Sequence, residues 1–327
     1  MERYVSALAS HQADQGMDVS VIGGDQSAMR AALGRSRVRL LPAASVREAL
    51  GSLASIRRPD IINSHMSDAD LAAIIYRGLR KTPRIVSTRH FGSRRGSSVP
   101  ARLVFGLTAG RIAAQIAISE FVGGHVEGAC VVVRTGVDNA DGESPARRDR
   151  IVLMAQRLET EKSTELGIRA WAEASARTEG WRLVIAGDGS QRSNLEQLAS
   201  RLGVADSVRF LGHRSDVGDL MNHSGILLAP TPKEGLGLSV LEGMARSLPI
   251  VASASGGHLE TVGGVPDAAL FAPGDASTAA EHIDRLAGDV AWRGEYGLRL
   301  RDRQRSEFAV GRQVERTTAV YEGVLGS

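Results

Sequence analysis

Two carboxylates, Glu234 and Glu242, stand eight residues apart in K-E-G-L-G-L-S-V-L-E-G-M (233–244), with Gly235 and Gly237 just after the first. The apolar Ile226, Leu227 and Leu228 upstream predict a buried strand, and Leu236 to Arg246 has the pattern of a helix. Glu234 then belongs to the loop at the strand's carboxyl end, with Glu242 about two turns into the helix. Between them lie the first amides of a helix, which have no intrahelical partner, and glycines that let a ligand approach the backbone. A diphosphate flanked by two hydroxyl-rich groups, the shape of a nucleotide sugar, suits that arrangement. Arg157 and Lys162 follow a second apolar run, I-V-L-M-A (151–155). Cations placed after a strand's carboxyl end can converge on a ligand in the crevice there.

The elements that must position these groups alternate along the whole chain. In the first half, apolar runs at 18–22, 38–41, 60–64, 84–88, 116–119 and 131–134 read as strands, with helical patterns between most of them. A second series runs from 151–155 to 269–273, and helices close the chain, the last over 308–325. Short strands alternating with helices predict parallel sheets with right-handed crossovers. The polar, Gly- and Pro-containing stretch 139–150 reads as a linker. The expected division is therefore 1–145, 146–305 and a C-terminal helix, 306–327.

Composition narrows the classes. A length of 327 residues is enough for two α/β domains with separate cores. Cys130 is the single cysteine, which excludes an intrachain disulfide and fits a reducing cytosol. No apolar run approaches the roughly 20 residues of a membrane span, and Glu2 and scattered polar residues interrupt any signal-peptide pattern at the start. Lys+Arg exceed Asp+Glu by three overall, but residues 71–119 hold nine basic side chains and no acid. These are Arg77, Arg80, Lys81, Arg84, Arg89, Arg94, Arg95, Arg102 and Arg111. An uninterrupted basic stretch of this kind predicts an anionic partner, a phosphorylated acceptor or an acidic membrane surface met through residues 77–111. Nucleic acid is not expected, because few aromatics interleave with the charges. Asp68 and Asp70 have D-x-D spacing, yet Ser67 followed by acids reads better as a helix start.

Beside Glu234 and Glu242 stand A-Q-R-L-E-T-E-K (155–162), L-V-I-A-G-D-G (183–189), V-R-F-L-G-H (208–213) and L-P-I-V-A-S-A-S-G-G-H-L-E-T-V (248–262). In order, spacing and wording these segments resemble the donor-binding half of retaining GT-B glycosyltransferases of family 4. The resemblance is specific from residue 151 to about 262 and looser before. It implies an α/β fold of two Rossmann-like domains facing a cleft, and a last helix that crosses back to the first domain. It implies a nucleoside-diphosphate-sugar donor, a glycolipid or glycan acceptor, and no bound metal or other cofactor.

By that resemblance Arg157 and Lys162 hold the donor diphosphate, Glu242 accepts from the ribose, and Glu234 meets the sugar hydroxyls. Gly235, Leu236, Gly237 and Leu238 offer amides. Gly187 and Gly189 permit close approach, which a tight turn alone also explains, and Gly212 to Arg214, with His213, lie where relatives receive the base. From the first half, His90 matches the histidine near the reacting sugar. His65, Ser119, Arg94 and Arg95 fall on the acceptor side, and Gly136 to Asp138 resemble cleft-lining positions. Relatives carry Pro-Asn where this chain has Arg134-Thr135.

Relatives also begin with a strand and a glycine-rich loop, whereas M-E-R-Y-V-S-A-L-A opens as if inside the following helix. The expectation is a reading frame that starts upstream and a first domain lacking its leading strand. Two other readings remain, a nucleotide-sugar epimerase of the same fold and a non-catalytic nucleotide-sugar-binding protein. The expected location is cytoplasmic, at the inner face of the plasma membrane.

Overall fold

The computed structural model describes residues 1–80, 82–92, 109–140 and 148–326. The chain divides into two compact units, residues 1–136 with 310–327, and residues 137–309. The passage between them thus falls at Gly136–Val137, ahead of the polar stretch expected to form the linker. Within the second unit Val137 N–H donates to the Phe308 carbonyl at 2.9 Å and Gln304 Nε2 to the Val137 carbonyl at 3.1 Å. These bonds fix the two ends of that unit side by side.

The first unit runs α1 (Glu2–Asp14), β1 (Ser20–Ile22), α2 (Gln26–Leu33), β2 (Arg39–Leu41), α3 (Val46–Ser55), β3 (Ile61–Ser64), α4 (Ser67–Arg80) and β4 (Arg84–Arg89). After these come β5 (Ile112–Ala117), α5 (Glu120–Gly123) and β6 (Val131–Val132). All pairings are parallel, but they form two sheets, β1-β2 and β3-β4-β5-β6. Asp25, Ser45 and Ser119 accept from backbone amides three residues on and so start α2, α3 and α5. β5 begins earlier than the expected 116–119, because the small side chains of I-A-A-Q-I-A hide the strand pattern. Asp68 and Asp70 do not act together: Asp68 is exposed, whereas Asp70 is buried and accepts from Ser64 Oγ at 2.5 Å.

In the second unit β7 (Ile151–Ala155), α6 (Thr164–Glu173), β8 (Arg182–Ala186), α7 (Arg192–Arg201) and β9 (Val208–Gly212) come first. Then follow α8 (Val217–His223), β10 (Ile226–Ala229), α9 (Leu238–Ala245), β11 (Ile250–Ser253), α10 (Gly257–Thr261) and β12 (Leu270–Phe271). Two long helices, α11 (Ala276–Gly288) and α12 (Val290–Glu307), complete it. The sheet is parallel with order β9-β8-β7-β10-β11-β12, the 3-2-1-4-5-6 order of a doubly wound nucleotide fold. Its central strands are apolar on both faces, as burial beneath helices on both sides requires: Val152, Leu153, Leu183, Ile226, Leu227 and Ile250 are all buried.

The final helix, α13 (Val310–Leu325), belongs to the first unit. Val324 packs with Val86, Ile116 and Val133. Asn63 Nδ2 donates to Tyr321 Oη at 2.7 Å, and Gly136 N–H to Gln313 Oε1 at 2.7 Å. Among the described residues no helix is long and apolar enough to cross a membrane.

Two glycines separate backbone need from helix propensity. At Gly187 (φ +155°) a Cβ would sit 1.8 Å from the Gln156 carbonyl oxygen, so Gly187→Ala should displace the β7 loop and cost at least about 2 kcal/mol. Gly294, inside α12, has open space around its Cβ position, so Gly294→Ala should stabilise by about 0.5–1 kcal/mol. Urea midpoints of the two variants test this; equal effects would contradict it.

Candidate functional site

The order of the second sheet reverses direction between β7 and β10, which pair side by side. Loops leave the carboxyl ends of two such strands in opposite senses and open a crevice, the usual ligand position in an open α/β sheet. The loop after β7 carries Gln156 to Lys162, and the loop after β10 carries Thr231 to Gly237. Chain topology thus brings together charges 72 positions apart: Lys162 Nζ donates to Glu234 Oε2 at 2.7 Å. Both side chains keep only about a fifth of their exposure, 20% and 22%. Glu234 Oε1 also accepts from the Gly235 N–H at 3.1 Å.

One uncharged side chain ties the two loops. Gln156 Nε2 donates to the Lys162 carbonyl at 3.0 Å and to Thr164 Oγ1 at 2.9 Å, while its Oε1 accepts from Thr231 Oγ1 at 3.3 Å. The helix after the second loop begins at Leu238, two residues later than expected, because Gly237 takes a left-handed conformation (φ +94°) and acts as its N-cap. Ser239 Oγ in the first turn donates to the Ala155 carbonyl at 2.9 Å and pins this helix end to the end of β7. Glu242 is the fifth helical residue and half-buried, a little over one turn in.

A third loop shapes the second. Gly257 N–H donates to the Glu234 carbonyl at 2.9 Å, and a Cβ on Gly256 would lie 2.4 Å from that same oxygen. Beyond them His258 is buried at 1% exposure, with Nδ1 3.2 Å from the Ser253 carbonyl and Cδ2 3.4 Å from the Cβ position of Gly237. Burial holds its pKa below the ordinary histidine value, against the pull of the Glu234 carboxylate. Sequence reasoning assigned no role to Gln156, Thr231, Ser239 or His258. The Gly256-Gly257 pair after an apolar strand was the available signal.

The remaining predicted donor residues are more peripheral. Arg157 is 67% exposed and donates to Glu161 at 2.9 Å, a surface i,i+4 pair. Gly187 and Gly189 are required by close approach of the chain itself, since their Cβ positions meet the carbonyl oxygens of Gln156 and Leu158. His213 is exposed beyond the end of β9. Gly235 and Leu238 are half-buried and Leu236 is buried at 2%.

In the first unit the ends of β3 and β4 set His65 against His90, Nδ1 to Nε2 at 3.0 Å. One ring must donate and the other accept, which two neutral imidazoles satisfy. The Tyr4 ring meets both edge-on, with centroids 5.6 and 4.7 Å away. Burial lowers the His65 pKa to about 4. Burial, then the neighbouring His65, lowers that of His90 to about 2. Ser119 is buried and accepts from Val122 N–H at 3.0 Å as the cap of α5. Arg94 and Arg95 lie outside the described residues. Arg89 is not part of an exposed basic tract: it is 8% exposed and pairs with Glu127 at 3.4 Å.

The histidine pair has a measurable signature. Unfolded, each ring takes a proton near pH 6.5; folded, His65 stays neutral to about pH 4 and His90 lower still. Below about pH 6.5 the unfolded chain therefore binds more protons, and stability should fall by about 1.4 kcal/mol per pH unit for each ring. His65→Gln should lose less stability than the parent between neutral and mildly acid pH, by denaturant titration. Identical pH dependence in both would show that these rings are not buried neutral.

Comparison with known proteins agrees with this architecture. Residues 1–140 match the model of Glycosyltransferase Family 4, and residues 138–297 that of Glycosyl transferases group 1. The chain is 33% identical over 138 residues to the putative glycosyltransferase EpsD of Bacillus subtilis, a match covering 42% of this chain and 36% of that protein. The chain thus spans well under two thirds of that relative. It is 26% identical over 286 residues to the lipopolysaccharide core biosynthesis mannosyltransferase LpcC of Rhizobium leguminosarum, covering 83% and 80% of the two chains. Anabaena Alr3699/HepE, solved with UDP and glucose, superposes with a TM-score of 0.81 at 18% identity, covering 98% of this chain and 95% of that one. Its likeness identifies a GT-B fold. The two family models meet at residues 138–140 and together take in residues 1–297, so the chain belongs to the glycosyltransferases of family 4 and group 1.

Proposed function

We infer that this chain transfers a glycosyl group from a nucleoside-diphosphate sugar to a hydroxyl of a glycan or glycolipid, with retention of anomeric configuration. The observation that carries the reading is the Lys162–Glu234 pair at the strand switch point, beside the N-terminus of α9. A cation and free helix amides suit a diphosphate, and an adjacent carboxylate suits sugar hydroxyls. The Anabaena structure holding UDP and glucose supports the donor class, and the mannosyltransferase LpcC supports a cell-envelope acceptor.

In this mechanism the bond from the anomeric carbon to the diphosphate breaks while the acceptor oxygen bonds to the same face. The acceptor proton passes to the departing phosphate oxygen. Lys162, joined by Arg157 once it leaves Glu161, carries the charge that develops on the leaving group, in place of a metal ion. Glu242 binds the ribose, and Glu234 and the amides from Gly235 to Leu238 orient the sugar. His90, neutral at physiological pH, is a hydrogen-bonding group rather than a cation. The enzyme works at the inner face of the plasma membrane.

Thermal unfolding with UDP, GDP, ADP and dTDP tests the donor site. One nucleotide at about 100 times its dissociation constant should add roughly 2.7 kcal/mol to the parent. The same nucleotide should add little to Lys162→Met or Glu242→Ala. A folded parent that responds to none of them would sink the donor assignment. Conversion of the donor sugar without acceptor would instead favour the epimerase reading.

A further inference from the structure

In a parallel sheet every helix returns the chain to the amino-terminal edge, so the loops there lie away from the strand ends that hold His65 and His90. In the first unit that edge collects arginine. Arg57 and Arg58 precede β3, Arg77 and Arg80 close α4, Arg84 opens β4, and Arg111 precedes β5. Their proximity is direct: Arg84 N–H donates to the Asp60 carbonyl at 2.9 Å, and the Arg77 guanidinium donates to the Arg111 carbonyl. None of the six has an ion-pair partner among the described residues, and the exposed Asp60 is the acid that stands beside them.

An apolar stripe adjoins this charge. The buried side of α4 presents Ala72, Ala73, Ile74 and Tyr76 to the unit, while Ile75 and Leu79, one turn apart, face outward at 39% and 77% exposure. A helix end that offers a large aliphatic side chain to solvent beside several arginines has the pattern of an interfacial contact. The arginines complement anionic headgroups, and Leu79 reaches the acyl boundary.

We propose that the amino-terminal edge of the β3–β6 sheet, with the last turn of α4, is the surface by which this chain docks on an anionic lipid bilayer. The proposal specifies the membrane contact of the functional reading but does not use the donor site. It also separates contact from chemistry: β4 spans six residues, so the histidine pair stands about 20 Å from the docking edge.

Co-sedimentation with phosphatidylcholine vesicles, with and without phosphatidylglycerol, tests it. The parent should bind only the anionic vesicles, and more weakly as salt rises. Arg57→Glu with Arg80→Glu should weaken binding at least about tenfold, since each basic residue near the surface contributes about fivefold. Leu79→Glu should also weaken it, while the thermal response to nucleotide stays that of the parent in every variant. Vesicle binding unchanged in both variants would overturn the proposal. So would full competition by soluble glycerol phosphate, which would mean a discrete phosphate site. Loss of the nucleotide response in the parent, with vesicle binding kept, would sink the donor reading and leave this one standing.

Discussion

The second unit is organised around one ion pair. Lys162 and Glu234 come from loops that leave neighbouring strands in opposite directions, and each is too far out of water to be left without a partner. Their 2.7 Å contact requires both loops to turn toward the switch point. Gln156, Thr231 and Ser239 then bind the same loops and the end of α9 with neutral hydrogen bonds. The pair is also a reserve of charge. An anion that took over Lys162 would leave the Glu234 carboxylate to find another donor, so neither group can be changed without the other.

The first unit handles desolvation in the opposite way. His65 and His90 have no carboxylate partner at bonding distance among the described residues; burial therefore keeps both rings neutral, and they bond each other. One site keeps its charges by pairing them, the other removes them. A neutral imidazole near pH 7 is a directional hydrogen-bonding group, suited to an uncharged sugar more than to a phosphate.

Much of this was legible in the sequence because it rests on local pattern. The strand before Glu234, the glycine at the start of α9 and the alternation of elements need only nearest neighbours to be read. The ion pair itself was not legible, since nothing local marks residues 162 and 234 as neighbours; sheet order decides that. Gly187 and Gly189 were read as permitting close approach, for a ligand or simply for a tight turn; the carbonyls of Gln156 and Leu158 are what approach them. The described members of the basic stretch 71–119 also depend on sheet geometry for their grouping. A tract in sequence became two places in space, because β4 carries Arg89 to one end of the sheet and Arg84 to the other, where Arg57 and Arg58 join it from an earlier loop.

Gly256 and Gly257 lie so close to the backbone of Glu234 to Leu236 that a side chain on either would collide with it. The path of the Glu234 loop is thus written twice, in its own residues and in a mould supplied by the following strand's loop. An insertion or a rerouting there needs matched changes in both places at once, a rare event in descent. Change at this loop is then confined to side chains that leave the mould alone, such as the exposed Lys233.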